Sequence, residues 1–301
     1  MIEPKCPLDG GNLVESEGSS SCESCGASFP MIEIAEGRKG ADFRCLDIPQ
    51  DVTMTFAIPQ EPLTSVTVDK FGIATEIDFP HMPREKIRKL YGTKMQKEVH
   101  YYIDALLKNV GSDATILDLG CGNGGNKRYL ESIGFHNIIS VDFMAPGAEF
   151  LVDVHRLPFA SESFDLILTT ATLEHFYNPF IAFKEMNRVL RTGGMLIASG
   201  SFWESWHGNS CFHFTPGGID LLCRSTDLKL SDLWSGWGFI PSISSHAFGL
   251  ARLKRFTYFL QRIFDFGYSL RYSREAAKKH RFKTSGSFGL FAVKTKGTLP
   301  P

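Results

Sequence analysis

The segment Ile116-Leu-Asp-Leu-Gly-Cys-Gly-Asn-Gly-Gly125 constrains this chain most, because it reads as a buried strand running into a glycine-rich turn. Gly120, Gly122 and Gly124 recur at every second position. Glycine there permits positive φ and lets a ligand approach main chain where a Cβ would collide. Asp118 lies just before the turn, at the carboxyl end of the strand, which is where open α/β sheets bind ligands. An ordinary tight strand-to-helix turn would look similar, so the motif alone does not establish a ligand site.

A second apolar strand, Asn137-Ile-Ile-Ser-Val-Asp142, ends in a carboxylate 18 residues beyond Gly124. An acidic residue there accepts hydrogen bonds from the two ribose hydroxyls in nucleotide-binding α/β units. Phe150-Leu-Val-Asp-Val-His-Arg-Leu-Pro-Phe159, Ser163-Phe-Asp-Leu-Ile-Leu-Thr-Thr170 and Arg188-Val-Leu-Arg-Thr-Gly-Gly-Met-Leu-Ile-Ala198 come next along the chain. This set resembles the class I S-adenosylmethionine-dependent methyltransferases, and among them the small-molecule group with Leu-Pro-Phe after the third strand and Leu-Glu-His after the fourth. The match runs from about residue 94 to about 235, with a last strand near 287–295. The resemblance implies an α/β fold with a Rossmann-like, seven-stranded methyltransferase sheet. An NAD dehydrogenase is the competing reading, but the pattern is not Gly-x-Gly-x-x-Gly and no Tyr-x-x-x-Lys pair appears.

The same resemblance implies a cofactor site for S-adenosyl-L-methionine. The loop at Gly120, Gly122 and Gly124 would pass under the methionine and ribose portion, with Asp118 anchoring it. Asp142 would take the ribose diol, Asp153 the adenine amino group, and Val154 would add a backbone contact. Thr170, Ala171 and Leu173 would line the methyl-donor end. Turn capping by Asp118 and a helix N-cap at Asp153 are the structural alternatives. Only 10 residues separate Asp142 from Asp153, so a loop replaces the usual helix between the second and third strands.

Residues 1–37 differ from the rest, with Cys6-Pro-Leu-Asp9, a Gly/Ser-rich stretch, and Cys22-Glu-Ser-Cys25. Two ligand pairs at x2 spacing can close a tetrahedral zinc site, here with Asp9 in place of a fourth cysteine. The pattern resembles a zinc ribbon fused to, or partnering, some methyltransferases. Its metal set would be Cys6, Asp9, Cys22 and Cys25, for one structural zinc. Alternatively, contacts of Leu13, Phe29 and Ile32 hold the module without metal. Residues 38–93 read as a connecting segment, with a strand at Thr64–Asp69 and a break at Phe79–Pro83. The methyltransferase domain is expected over 94–301, opening with a helix at Lys94–Asn109 whose apolar face carries Val99, Ile103, Leu106 and Leu107.

Transfer to a hydroxyl acceptor needs a base, and the candidates are His175 in the Leu-Glu-His element and His207, with His213 beside it. His175 could equally cap the helix starting at Asn178-Pro179, and His213 could pack before Phe214-Thr-Pro216. The expected activity is methylation of a small-molecule or lipid-linked acceptor, at oxygen. Two other readings are a zinc-ribbon-containing rRNA or tRNA methyltransferase and a non-catalytic cofactor-binding scaffold. Net charge is −1, yet residues 250–301 hold 12 Lys/Arg against 2 Asp/Glu and the preceding 249 hold 20 against 31. An acidic body argues against a nucleic-acid surface.

A helical insertion at about 250–284 carries Leu253, Phe256, Leu260, Ile263 and Phe264 along one face, with Arg252, Lys254, Arg255 and Arg262 elsewhere. That pattern suits a lid over the substrate pocket, or peripheral membrane contact through 251–268. No apolar run long enough for a membrane span occurs, the N-terminal residues lack a signal-peptide core, and the seven cysteines then suggest a reducing, cytoplasmic setting. Oligomeric state is not legible.

Overall fold

The computed structural model describes residues 2–44, 97–246, 249 and 253–296. Eleven strands form one sheet among these residues. The central strands are β5 (Thr115–Leu119), β6 (Asn137–Asp142), β7 (Phe150–Val152), β8 (Phe164–Thr169) and β9 (Leu190–Ser201), all parallel. β10 (Leu228–Ser235) and β11 (Ser287–Lys294) complete one edge, with β11 antiparallel between β9 and β10. The order β7-β6-β5-β8-β9-β11-β10 reverses direction at β5, which opens a crevice at the carboxyl ends of β5 and β8.

Parallel strands covered on both faces read as continuous apolar runs, and neighbours along each strand serve opposite cores. Ile116, Ile138, Leu168 and Ile197 pack with Val99, Ile103 and Leu106 of α1 (Lys97–Asn109) and Leu130 of α2 (Gly125–Ser132). Their neighbours Leu117, Ile139, Ile167 and Leu196 pack with Phe183 and Met186 of α3 (Pro179–Val189) and Leu222 of α4 (Pro216–Arg224). Asn178 and Thr215 accept the Ile181 and Gly218 amides, each followed by proline, so α3 and α4 begin where side-chain caps and the proline φ favour it. His175 therefore caps neither helix. No helix occurs between β6 and β7, as their spacing requires.

The sheet exceeds the seven strands expected. β1 (Leu13–Glu15), β2 (Ser19–Cys22), β3 (Ser28–Ala35) and β4 (Arg38–Phe43) extend it antiparallel to one another. β4 then runs parallel to β7, pairing Asp42 with Leu151 and Phe43 with Val152. The boundary expected at 37/38 thus falls in the turn joining β3 to β4. Residues 45–93 of the connecting segment, with the strand expected at Thr64–Asp69 and the break at Phe79–Pro83, lie outside the described residues, as do 94–96 of the expected first helix.

The basic insertion forms α5 (Phe239–His246), α6 (Lys254–Arg271) and α7 (Arg274–Lys283), of which α6 and α7 lie within the expected 250–284. Its apolar stripe does not form a lid. Leu253, Phe256, Ile263 and Phe264 are exposed, while Thr257 and Gln261 face inward. Gln261 Oε1 accepts the Ile240 amide at 2.9 Å and its Nε2 donates to Asp265 at 2.8 Å, so α6 docks on α5 through polar groups. Once a polar face is committed inward, the apolar stripe points to solvent. Among the described residues, no helix is long and apolar enough to cross a membrane.

Phe43 is fully buried between Phe29 and Phe150, with ring centroids 5.2 and 5.9 Å away. Truncation of a buried Phe costs about 3–5 kcal/mol. Phe43→Ala is therefore expected to lower the urea-unfolding free energy by about that amount.

Candidate functional site

A cavity of about 510 Å³ opens at the carboxyl ends of β5–β8. That volume suits a nucleoside-sized ligand. Its walls include Gly120, Gly122, Asp142, Asp153, Val154, Ala171 and His175. Six expected residues, Asp118, Gly124, Thr170, Leu173, His207 and His213, lie off the wall. Asp118 is buried beneath the loop, Gly124 caps α2 with φ +70°, and Thr170 lies behind Ala171. Asn126 unites two of these, donating to Asp118 at 2.9 Å and to Thr170 Oγ1 at 3.4 Å. Leu173 is fully buried, and His207 stands behind His175 with ring centroids 5.8 Å apart.

The glycine turn follows from close packing. Gly120 has φ +73°, and a Cβ there would meet the Thr172 side chain at 2.5 Å. Gly147 needs glycine for a different reason: a Cβ would lie 2.3 Å from Gly122 O and Gly124 N. Asp142 ties these loops together. Its Oδ2 accepts the Gly122 amide, and Oδ1 accepts the Met144 and Ala145 amides, all at 3.0 Å. Oδ1 is thus saturated, while Oδ2 keeps a lone pair for a ligand donor.

Asp153 is held similarly. His155 Nε2 accepts the Asn178 amide at 3.1 Å, so Nδ1 carries the proton and donates to Asp153 Oδ1. Tyr177 donates to Oδ2 at 2.9 Å and stacks on His155 at 3.7 Å. Burial alone would raise the Asp153 pKa, but the hydrogen bonds from His155 and Tyr177 win and lower it. Asp153 therefore stays ionised, with one Oδ2 lone pair remaining. No helix begins at Asp153, so the N-cap alternative fails.

Sequence reasoning missed Phe143, Met144, His155, Tyr177, Asn209 and Cys211, all of which line the cavity. Phe143 and Met144 carried a readable signal, two apolar side chains directly after Asp142 in a loop too short for a helix. Tyr177, Asn209 and Cys211 come from irregular segments and gave none. Ala171 has φ +53°, a left-handed conformation that costs a non-glycine residue roughly 1–2 kcal/mol. Its amide donates to Ser199 Oγ at 2.9 Å, which holds the strained turn against the cavity.

Leu157-Pro-Phe159 is clamped from α3. Glu185 accepts the Leu157 amide at 2.9 Å, and Arg188 donates to the Phe159 and Leu157 carbonyls at 2.7 and 2.9 Å. Glu185 and Arg188 pair with each other at 2.8 Å, so the two motifs brace the Asp153 loop from behind. At the N-terminus, Cys6, Asp9, Cys22 and Cys25 converge, with all ligand atoms within 4.8 Å of one another.

Residues 117–198 match the family model described as a methyltransferase domain. The chain is 29% identical over 160 residues to malonyl-(acyl-carrier protein) O-methyltransferase of Pseudescherichia vulneris, covering 46% of this chain and 62% of that one. It is 29% identical over 119 residues to the Mus musculus protein named probable tRNA methyltransferase 9B, covering 36% and 26%. In both cases the chain spans less than two thirds of the relative. Among solved structures, geranyl diphosphate C-methyltransferase from Streptomyces coelicolor A3(2) aligns with a TM-score of 0.43 and 14% identity, covering 65% of this chain and 76% of that one.

Burial, opposed by hydrogen bonds from Asn126 and Ser140, raises the Asp118 pKa to about 6. Ionising Asp118 therefore destabilises the fold, in full above pH 6, and the penalty disappears as pH falls toward the unfolded value of 3.8. Relative to Asp118→Asn, the wild type is expected to gain about 2 kcal/mol between pH 7 and pH 4, read by urea unfolding at each pH. The likeness to methyltransferases lies in residues 117–198, the segment that carries the glycine turn, Asp142 and Asp153.

Proposed function

We propose that this chain transfers a methyl group from S-adenosyl-L-methionine to a hydroxyl of a small-molecule or lipid-linked acceptor. The observation that carries this reading is the Asp142 carboxylate, fixed by three backbone amides and facing a cavity of nucleoside size. Asp142 would receive a ribose hydroxyl through Oδ2, and Asp153 the adenine amino group through its remaining lone pair. Val154 would add a backbone contact, and Phe143 and Met144 would cover the base. Gly120 and Gly122 let the ligand approach the main chain, while Asp118 supports the loop from below.

The bound sulfonium supplies an already activated methyl group, so the protein's work is alignment and exclusion of water. Positioning of this kind contributes on the order of 7–11 kcal/mol. A hydroxyl acceptor must also lose its proton. His175 on the wall and His207 behind it would act on that hydroxyl. The O-methyltransferase relative supports oxygen as the acceptor atom. The outward apolar side chains of α6, including Phe256, Phe259, Phe266 and Leu270, support a lipid-linked acceptor met at a membrane surface. A second reading, methylation of RNA, draws on the tRNA methyltransferase relative. Retention on an RNA column at moderate salt would favour it.

The N-terminal cluster fits one structural zinc. Cys6 Sγ and Cys25 Sγ are 3.7 Å apart. Tetrahedral ligands on ~2.3 Å bonds sit about 3.8 Å from one another. The Leu8, Ser24 and Cys25 amides point at the Cys6 and Cys22 sulfurs at 3.4–3.5 Å, which would favour thiolates able to hold a metal. Elemental analysis of the purified proteins is expected to find one equivalent of zinc more in the wild type than in Cys22→Ser.

Isothermal titration with S-adenosylmethionine tests the main reading. Losing a hydrogen bond to a charged group costs about 1.5–3 kcal/mol, so Asp142→Asn should weaken binding roughly tenfold to a hundredfold. A wild type that binds neither the donor nor its demethylated product excludes methyl transfer.

A further inference from the structure

The turn Leu173–His175 and the loop before α4 meet at the mouth of the cavity. The Glu174 carbonyl accepts the amides of Cys211 and Phe212 at 2.6 and 3.1 Å, which locks the two segments together. This brings Glu174, His175 and His207 into one cluster, with donor atoms within 4.8 Å of one another. His175 lines the cavity directly, and Asn209 and Cys211 continue its wall.

The cluster has more acceptors than donors. His207 Nδ1 lies 3.1 Å from the Ser205 carbonyl, which can only accept, so Nδ1 carries the proton. In the neutral ring Nε2 then presents a lone pair 3.6 Å from Glu174 Oε1, and two acceptors face each other. Ser201 Oγ reaches both Glu174 Oε1 and Glu204 Oε2 at 3.1 Å, but one hydroxyl proton serves only one of them. Glu174 is only 2% exposed, and its Oε2 is buried with no hydrogen-bond partner among the described residues. Leaving a buried carboxylate oxygen unpaired is expensive, and a cation beside it would remove that cost. A proton on His207 Nε2 would reach Oε1 alone, leaving Oε2 unanswered.

We infer that Glu174, His175 and His207 form a binding site for a divalent transition-metal ion at the acceptor end of the cavity. Two imidazoles and a carboxylate are a donor set for zinc-class ions, and three protein ligands leave a position open. A metal-ligating histidine commonly donates its second N–H to a backbone carbonyl, as His207 does to Ser205. When bound, such an ion supplies Lewis acidity that lowers the pKa of a coordinating hydroxyl, whose proton leaves to solvent. The ligand class is therefore an oxygen acceptor, with the hydroxyl to be methylated at the open position. The existence of the site does not depend on the proposed methyl transfer, but this chemical role rests on it.

Titrating the full chain with Co²⁺ and following its visible d–d absorption tests the site. The expected result is one equivalent of cobalt without thiolate-to-metal charge transfer, bound roughly 10–100-fold more weakly in His207→Ala and in His175→Ala. Glu174→Gln, of nearly equal volume, gives a third variant, with circular dichroism to establish that it folds. Cobalt bound only with thiolate charge transfer belongs to the Cys6 cluster and overturns the proposal. So does thiolate-free cobalt that neither histidine substitution weakens. Titration of S-adenosylmethionine is read separately on the same protein. Donor binding without thiolate-free cobalt overturns the metal site alone, while cobalt binding without donor binding leaves the site standing and removes the methyl-transfer reading.

Discussion

Three backbone amides converge on one carboxylate at the end of β6, and the geometry of the whole cavity depends on that convergence. Asp142 holds Gly122 of the glycine turn and Met144 and Ala145 of the loop toward β7. Neither segment has helix or ladder partners at these positions. Without the carboxylate their amides would be left to water, and the two walls could move apart. Gly147 completes the closure from the other side, donating its amide to Gly122 O at 2.9 Å where a side chain could not fit.

Stability is spent at this end of the sheet in three places. Asp118 is an acid with no exposed surface, Ala171 holds a left-handed backbone, and one Glu174 carboxylate oxygen has no partner among the described residues. Each lies within five residues of a carboxyl strand end, whereas Ile116, Leu117, Ile167 and Leu168 in mid-strand are simply buried. Strain and uncompensated charge collected on one rim, over a well-packed sheet, are what a site built for a ligand looks like.

Much of the central architecture was legible because its signals are local. Alternation of two apolar faces marks β5, β6 and β8, proline after an Asx or Thr cap marks α3 and α4, and a short spacer forbids a helix before β7. Gly120, Gly122 and Asp142 were accessible to the same reading, since each lies just beyond a strand or at its end, while Asp153 and Val154 came from the family resemblance alone. What escaped depends on partners distant in sequence. β4 pairs with β7 across more than a hundred residues, and nothing in Arg38–Phe43 announces it. The stripe on α6 has correct amphipathic spacing, but spacing does not say which face is buried. Gln261 decided that by finding the Ile240 amide. Glu174 looked like a spacer between Leu173 and His175 until the fold set it against Ser201 and His207.

The pairing of β4 with β7 has a further consequence. β7 has three residues, and on the side away from β6 its hydrogen-bonding groups are met by Asp42 and Phe43. The N-terminal strands thus close off what would be a bare parallel margin of the sheet. A chain cut short of them would offer an unprotected row of peptide groups beside a Phe150 ring stripped of its Phe43 neighbour, which is a template for self-association. Whatever the module binds, its strands also cover the margin along which β7 would otherwise pair.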